Sequence, residues 1–183
     1  MLFRSELIEK FSLDRVGRSG ARFDEKRLLW MNGQFIRELS LDELYERVAD
    51  FWPESAKSAE EDYKRQVLAL AKDRLKTLQD LPALTDYFFR TPSVDTSLID
   101  SNKQLKKLEQ AEITSLLTAA REALQATEWN AEAIQTSLNG LLETTGQKPG
   151  ILFSLIRIAT TWAPFSPQLN DTLALLGRDA TLE

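Results

Sequence analysis

Apolar side chains recur along this chain at helical spacing, and no alternating run of strand length interrupts them. The spacing predicts a short helix from Ser5 to Phe11, with Leu7, Ile8 and Phe11 on one side. A loop rich in Gly, Arg and Ser follows from Gly17 to Gly20. Asp24 then starts a helix carrying Leu28, Leu29 and Trp30, which is expected to break at Asn32-Gly33 and resume through Phe35, Ile36 and Arg37. Ser40 and Glu43 form a capping box that opens a helix through Leu44, Tyr45, Val48 and Phe51, ending before Pro53. Ser58 and Glu61 form a second box, which opens a long helix to about Gln79. Leu81-Pro82 breaks that helix, and a short one then carries Tyr87, Phe88 and Phe89. The hydroxyls, aspartates and proline between Thr91 and Asp100 mark the boundary between two subdomains.

Beyond that boundary, Asn102 to Ala126 reads as one or two helices, with Leu105, Leu108, Ile113, Leu116, Leu117, Ala120 and Leu124 on the buried side. Asn130 caps a helix through Ile134, Leu138, Leu141 and Leu142 that ends at Gly146. Pro149, suited to a first helical position, starts an apolar helix to about Trp162. Ala163 to Pro167 is a sharp turn. Ser166 is read as the cap of the next helix, Pro167 as its first residue and Gly177 as its end. The sum is an all-α protein of two packed helical subdomains with an extended N-terminal lead-in.

Composition narrows the chemistry. The chain has 183 residues and neither Cys nor His. That removes disulfides, Cys/His zinc sites, thiol nucleophiles and imidazole bases. The acidic residues are scattered as on solvated helix faces, so catalysis by this segment alone is not expected. No apolar stretch reaches the roughly 20 residues that span a bilayer, and the first residues do not read as a secretory signal. The cytoplasm is the expected location, with no membrane partner. Net charge is −5 and the sequence pI about 5.0, which taken alone argues against nucleic acid as a partner. Phosphate contact needs only a local cluster of cations, however.

Four places could supply such contacts, and each has two readings. Arg74, at about 100° per residue, falls beside Val67, Leu70 and Leu78 on the apolar face of its expected helix. Its stem could pack on the core edge with the head in water. Alternatively, packing could hold the guanidinium rigidly for forked donation to a base edge or phosphate. Arg157 faces away from its helix's apolar stripe, among Ser154, Thr160 and Thr161; it is either a solubilising charge or a holder of a splayed nucleotide. The turn Pro164-Phe165-Ser166-Pro167, with Leu169 after it, is either a plain helix–helix turn or a platform for unpaired bases. Arg15, Arg18, Arg22, Lys26 and Arg27 cluster near the N-terminus, as a mixed solvated surface or as contacts to a nucleic-acid stem. The indole of Trp30 is expected in the core, so that Trp30→Ala would cost about 3–5 kcal/mol.

The run FDEKRLLWMNGQFIR from Phe23 to Arg37 resembles the segment that follows the catalytic domain of bacterial glutamyl-tRNA synthetases. Leu13 to Val16 (LDRV), Asp73 to Leu78 (DRLKTL), Tyr87 to Phe89, Glu128 to Ile134 (EWNAEAI), Leu155 to Ala159 (LIRIA) and Leu173 to Gly177 (LALLG) are similar to further pieces of that family, in the family's order. The resemblance implies a linker and stem-contact segment at 1–40 and helical anticodon-binding subdomains at 41–96 and 97–183. It places the arginine that reads the third anticodon letter at Arg74, and contacts to the first two letters at Arg157, Ser166, Pro167 and Leu169. Arg18, Arg22, Lys26 and Arg27 become candidates for the tRNA backbone. The partners implied are glutamate tRNA and the catalytic domain of the same polypeptide, in a monomer. ATP and Mg²⁺ would serve the parent ligase rather than this segment. One departure stands out: in place of the family's usual Thr-Gly after the Arg-Ile-Ala stretch, this chain has Thr160-Thr161-Trp162. The implied function is recognition of the glutamate tRNA anticodon as the C-terminal part of a glutamate–tRNA ligase. A free-standing tRNA-binding accessory protein of the same fold, and a helical protein-interaction scaffold, remain as alternatives.

Overall fold

The computed structural model describes residues 23–183. The expected helix at Ser5–Phe11, the Gly17–Gly20 loop and Arg15, Arg18 and Arg22 lie outside the described residues. Within them every element is a helix, and no strand forms.

Helix α1 (Glu25–Glu38) starts where Asp24 accepts a hydrogen bond from the Arg27 amide at 3.1 Å. It runs unbroken through Asn32-Gly33, contrary to the expected break. Gly33 is buried, and a Cβ there would sit 3.3 Å from the carbonyl oxygen of Leu75. The missing side chain therefore lets another backbone segment approach. Asn32 fixes that approach by donating from Nδ2 to the Lys76 carbonyl at 2.5 Å. Helix α2 (Leu41–Arg47) has the expected capping box, with Ser40 and Glu43 bonded reciprocally.

The second expected box does not form. Ser58 lies in a turn after the 3₁₀ segment Glu54–Ala56, and helix α3 (Glu61–Ala71) is preceded by Glu60 with no side-chain cap. Nor does α3 reach Gln79. It tightens into a 3₁₀ turn at Lys72–Arg74, and Leu75 is extended and fully buried. The loop replaces the lost helical bonds: Asp80 Oδ2 accepts from the amides of Lys76 at 3.0 Å and Thr77 at 2.8 Å. Pro82 does not end a helix but stands in the first turn of α4 (Leu81–Thr85).

Ile36, Leu44, Val48, Leu68, Ala71, Leu75, Leu81 and Leu84 form one core. A second core gathers Leu105 with residues of α6 (Gln110–Gln125), α7 (Ala131–Thr145), α8 (Pro149–Thr161) and α9 (Leu169–Leu176). Two short helices, α5 (Ser97–Ser101) and α10 (Arg178–Leu182), pack on its edge. Asn130 caps α7, the left-handed Gly146 ends it, and Pro149 opens α8. Val67, Tyr87, Phe88 and Ala163 form a third cluster joining the two cores. Tyr63 reinforces the joint, donating to the Phe88 carbonyl at 3.2 Å and approaching that of Leu175 at 3.4 Å. Phe89 meets Trp52 and Tyr63 edge-on at 5.8 Å, an arrangement that ring quadrupoles favour. Among the described residues no helix is long and apolar enough to cross a membrane.

Candidate nucleic-acid interface

Because α3 stops at Ala71, Arg74 is not on the apolar face of a long helix. It stands exposed in the 3₁₀ turn, immediately before the buried Leu75. The turn therefore fixes its backbone while its head stays free of the core.

Arg157, on α8, is half-buried rather than solvated. Its Nε donates to Ser166 Oγ at 2.7 Å, and Ser166 donates to the carbonyl of Pro167 at 2.9 Å. Ser166 is buried and does not cap the following helix. That helix begins two residues later than expected, at Leu169 after Gln168, with no side-chain cap. Pro167 is buried behind the turn, and Leu169 packs into the second core. Neither lines the cleft described next.

Arg74, Lys76, Leu84, Arg157, Phe165 and Ser166 line a cleft of about 560 Å³ between the two cores. Phe165 is 71% exposed there, a large aromatic face left to solvent. Burial lowers the pKa of Arg157, and the like charge of Arg74 lowers it further, while Tyr87 opposes the shift. An arginine stays charged through such a shift, so both guanidinium groups face the cavity as cations, with Lys76 beside them.

Among the described residues no carboxylate forms an ion pair with them. Among the described residues the ion pairs are Lys57–Glu54, Arg65–Asp42, Arg65–Glu61 and Arg90–Asp86. Arg65 also lies over the Tyr45 ring at 4.5 Å, so it is fully used within the fold. Asp80 reaches the cleft wall, but its Oδ2 is taken by two backbone amides. In a chain of net charge −5 this cleft is locally cationic and carries an aromatic face. Guanidinium groups there can fork onto phosphates or base edges, and Phe165 can stack on an unpaired base.

Lys76 belongs to the cleft although it was not singled out for contact by sequence, and Phe165 supplies the aromatic face of the turn that was read as a possible platform for unpaired bases. Phe165 was named only as part of its turn. Lys26 and Arg27 are exposed on α1, outside the cleft lining. Tyr87 Oη is buried and bonds to no described residue, which costs about 1–3 kcal/mol for a hydroxyl. The described residues contain no cluster of three His, Cys, Asp or Glu suited to a metal.

The sequence profile described as the anticodon binding domain matches residues 43–183. The whole chain aligns with the glutamate–tRNA ligase of Chloroflexus aurantiacus at 36% identity over 189 residues, covering 38% of that protein. It aligns with the glutamate–tRNA ligase of Roseiflexus castenholzii at 37% identity over 190 residues, covering 37% of it. The chain thus spans little more than a third of the relatives it matches. In structure, 97% of the chain superposes on 34% of a glutamate tRNA ligase from Elizabethkingia meningosepticum, with a TM-score of 0.67 and 22% identity. That likeness bears on the fold alone.

Proposed function

The chain belongs to the anticodon-binding domain family, and from that premise we propose that it reads the anticodon loop of glutamate tRNA as part of a glutamate–tRNA ligase. The single observation that carries this reading is the Arg74–Arg157 cleft: two guanidinium groups with no ion-pair partner among the described residues, beside an exposed phenyl ring. The alignments with glutamate–tRNA ligases along the full chain support the choice of RNA. In this reading Arg74 donates to one base of the anticodon. Arg157, steadied by Ser166, holds a neighbouring base or its phosphate. Pro167 and Leu169 act from behind, by fixing the turn. Lys26 and Arg27 meet the backbone of the stem, as would Arg18 and Arg22.

The same proposal divides the chain into a lead-in to about residue 40 and subdomains at 41–96 and 97–183. The parent enzyme would act as a cytoplasmic monomer, joining glutamate to tRNA in its catalytic domain with ATP and Mg²⁺. This chain's part is to bind the RNA and orient it.

The test is binding of the chain to glutamate tRNA, glutamine tRNA and an unrelated tRNA at two salt concentrations. The expected result is a preference for glutamate tRNA that weakens with salt, because phosphate neutralisation releases counterions. Arg74→Gln should narrow the gap between the glutamate and glutamine tRNAs more than it lowers affinity, since a bidentate base contact discriminates by about 1–3 kcal/mol. Equal loss for both tRNAs would remove the base-reading role from Arg74. Absence of binding to any tRNA would overturn the proposal.

A further inference from the structure

Arg74 stands in the middle of a short stretch whose backbone is held by α1. Asn32 donates from Nδ2 to the carbonyl of Lys76 at 2.5 Å, and Arg37 donates from Nη1 to that of Asp73 at 3.4 Å. Between those two contacts the Leu75 carbonyl lies against Gly33, where a Cβ would come within 3.3 Å. Lys72 adds a contact in the other direction, donating from Nζ to the carbonyl of Leu39, the C-cap of α1. The four residues around Arg74 are thus tied to α1 or to its end. The amides of the loop are used elsewhere: Asp80 holds those of Lys76 and Thr77, and the Leu75 amide closes on the Lys72 carbonyl at 3.3 Å. Leu75, fully buried, anchors the loop in the core it shares with Ile36 of α1.

This arrangement answers a need of the local structure. Lys72–Arg74 is a single 3₁₀ turn, and Leu75 leaves it extended, so no helical ladder continues through Arg74. The last carbonyls of a helix have no partner within it and must find one outside. Here α1 supplies two of them. The consequence falls on direction more than on stability. Asn32 is exposed and Arg37 only half-buried, so water can take over either carbonyl at little cost to the fold. Water does not restore orientation. A guanidinium reads a base edge through two parallel bonds from a planar fork, so its aim matters as much as its charge. Sites of this kind need holding to within about 0.5 Å. Neither Asn32 nor Arg37 lines the arginine cleft, so their part in recognition runs through Arg74.

We propose that Asn32 and Arg37 are positioning residues for Arg74: α1 is a splint that sets the direction of its guanidinium, and with it the discrimination between anticodons. The proposal rests on the reading of Arg74 as a base-reading residue. It makes specificity depend on two side chains outside the cleft, both of them before residue 43, where the match to the anticodon binding domain profile begins.

The test measures binding of the full chain to glutamate tRNA and glutamine tRNA and reads the ratio of the two Kd values. Asn32→Ala removes one donor and favours the helix. Arg37→Met removes the other and keeps an apolar stem. The two substitutions are independent, so a fold defect in one leaves the other to decide. A bidentate base contact discriminates by about five- to a hundredfold, and each variant should lose about three- to tenfold of that preference. In the Arg74→Gln background the same substitutions should leave the ratio unchanged, because the group they position is gone. Loss of the Arg37 charge can weaken both tRNAs alike, which the ratio does not register. Three results would overturn the proposal while leaving Arg74 its role: an unchanged ratio in both variants, weakening of both tRNAs equally, or the same change of ratio with and without Arg74. An unaltered chain without preference, or an Arg74→Gln variant that keeps it, would remove the base-reading role of Arg74, and this proposal would fall with it.

Discussion

Arg157 and Ser166 are joined by a 2.7 Å hydrogen bond from Nε to Oγ, and Ser166 is anchored in turn on the carbonyl of Pro167. The turn that leads into α9 thereby orients an arginine on α8, leaving its terminal amines for the cleft it lines. Ser166→Ala would strand a half-buried Nε and a backbone carbonyl. We expect a stability loss of about 1–3 kcal/mol by chemical denaturation together with weaker binding of glutamate tRNA. An intact affinity in the destabilised variant would mean that Arg157 needs no such orientation.

Gly33 and Leu75 meet where a helix passes a loop. A Cβ on Gly33 would lie 3.3 Å from a backbone oxygen that cannot easily give way, because Leu75 is fully buried beside it. Alanine gains up to about 1 kcal/mol of helix propensity at a glycine, which offsets part of the crowding. A larger side chain has no such compensation. Gly33→Leu should destabilise the chain by roughly 1–3 kcal/mol, as overpacked sites do. An unchanged denaturation midpoint would show that the loop at 72–76 can move away from α1.

The caps were legible in the sequence because their chemistry is local. Asp24, Ser40, Asn130, Gly146 and Pro149 each act on backbone within a turn of themselves. What sequence missed depended on partners far along the chain. Asn32-Gly33 carries the residues of a break, yet it is a docking point for Lys76 and Leu75, more than 40 residues away. The periodicity through Val67, Leu70, Arg74 and Leu78 suggested one long helix. Capture of the Lys76 and Thr77 amides by Asp80 ended it early and moved Arg74 from an apolar face into the cleft. Ser58 had the spacing of a cap but was taken up in a turn. The Trp162 departure was visible as an odd residue where the family favours glycine. The left-handed backbone it adopts is the conformation glycine would supply.

Trp30 shows the same limit on a single helix. Its neighbours Gly33 and Ile36 are buried, but the indole is 60% exposed on the flank of α1. The core position expected from sequence is therefore corrected, and with it the large cost of truncation. Trp30→Ala should shift stability by no more than about 0.5 kcal/mol, the usual range for exposed sites. A loss of several kcal/mol by denaturation would mean that the indole packs against something beyond its described neighbours.

Asp86 precedes Tyr87 of the cluster that joins the two cores and ties that joint to the acid stability of the fold. Burial pushes its pKa up, but the hydrogen bonds from Arg90 and from Ser55 at 2.6 Å outweigh it and leave the pKa below the ordinary value. A carboxylate with a folded pKa below its unfolded one stabilises the protein above the unfolded value, about 3.9. That contribution drains away as pH falls through the lower, folded pKa. Asp86→Asn cannot titrate, so it should be less stable than the parent at neutral pH. The gap between the two should close on acidification below about pH 4. Glu43, held low by its bonds with Ser40, titrates in both proteins and cancels from the difference. Denaturation curves of both proteins across that range measure the gap directly. A gap that stays constant with pH would show that Asp86 stabilises this joint by packing and neutral hydrogen bonding, with no contribution from its charge.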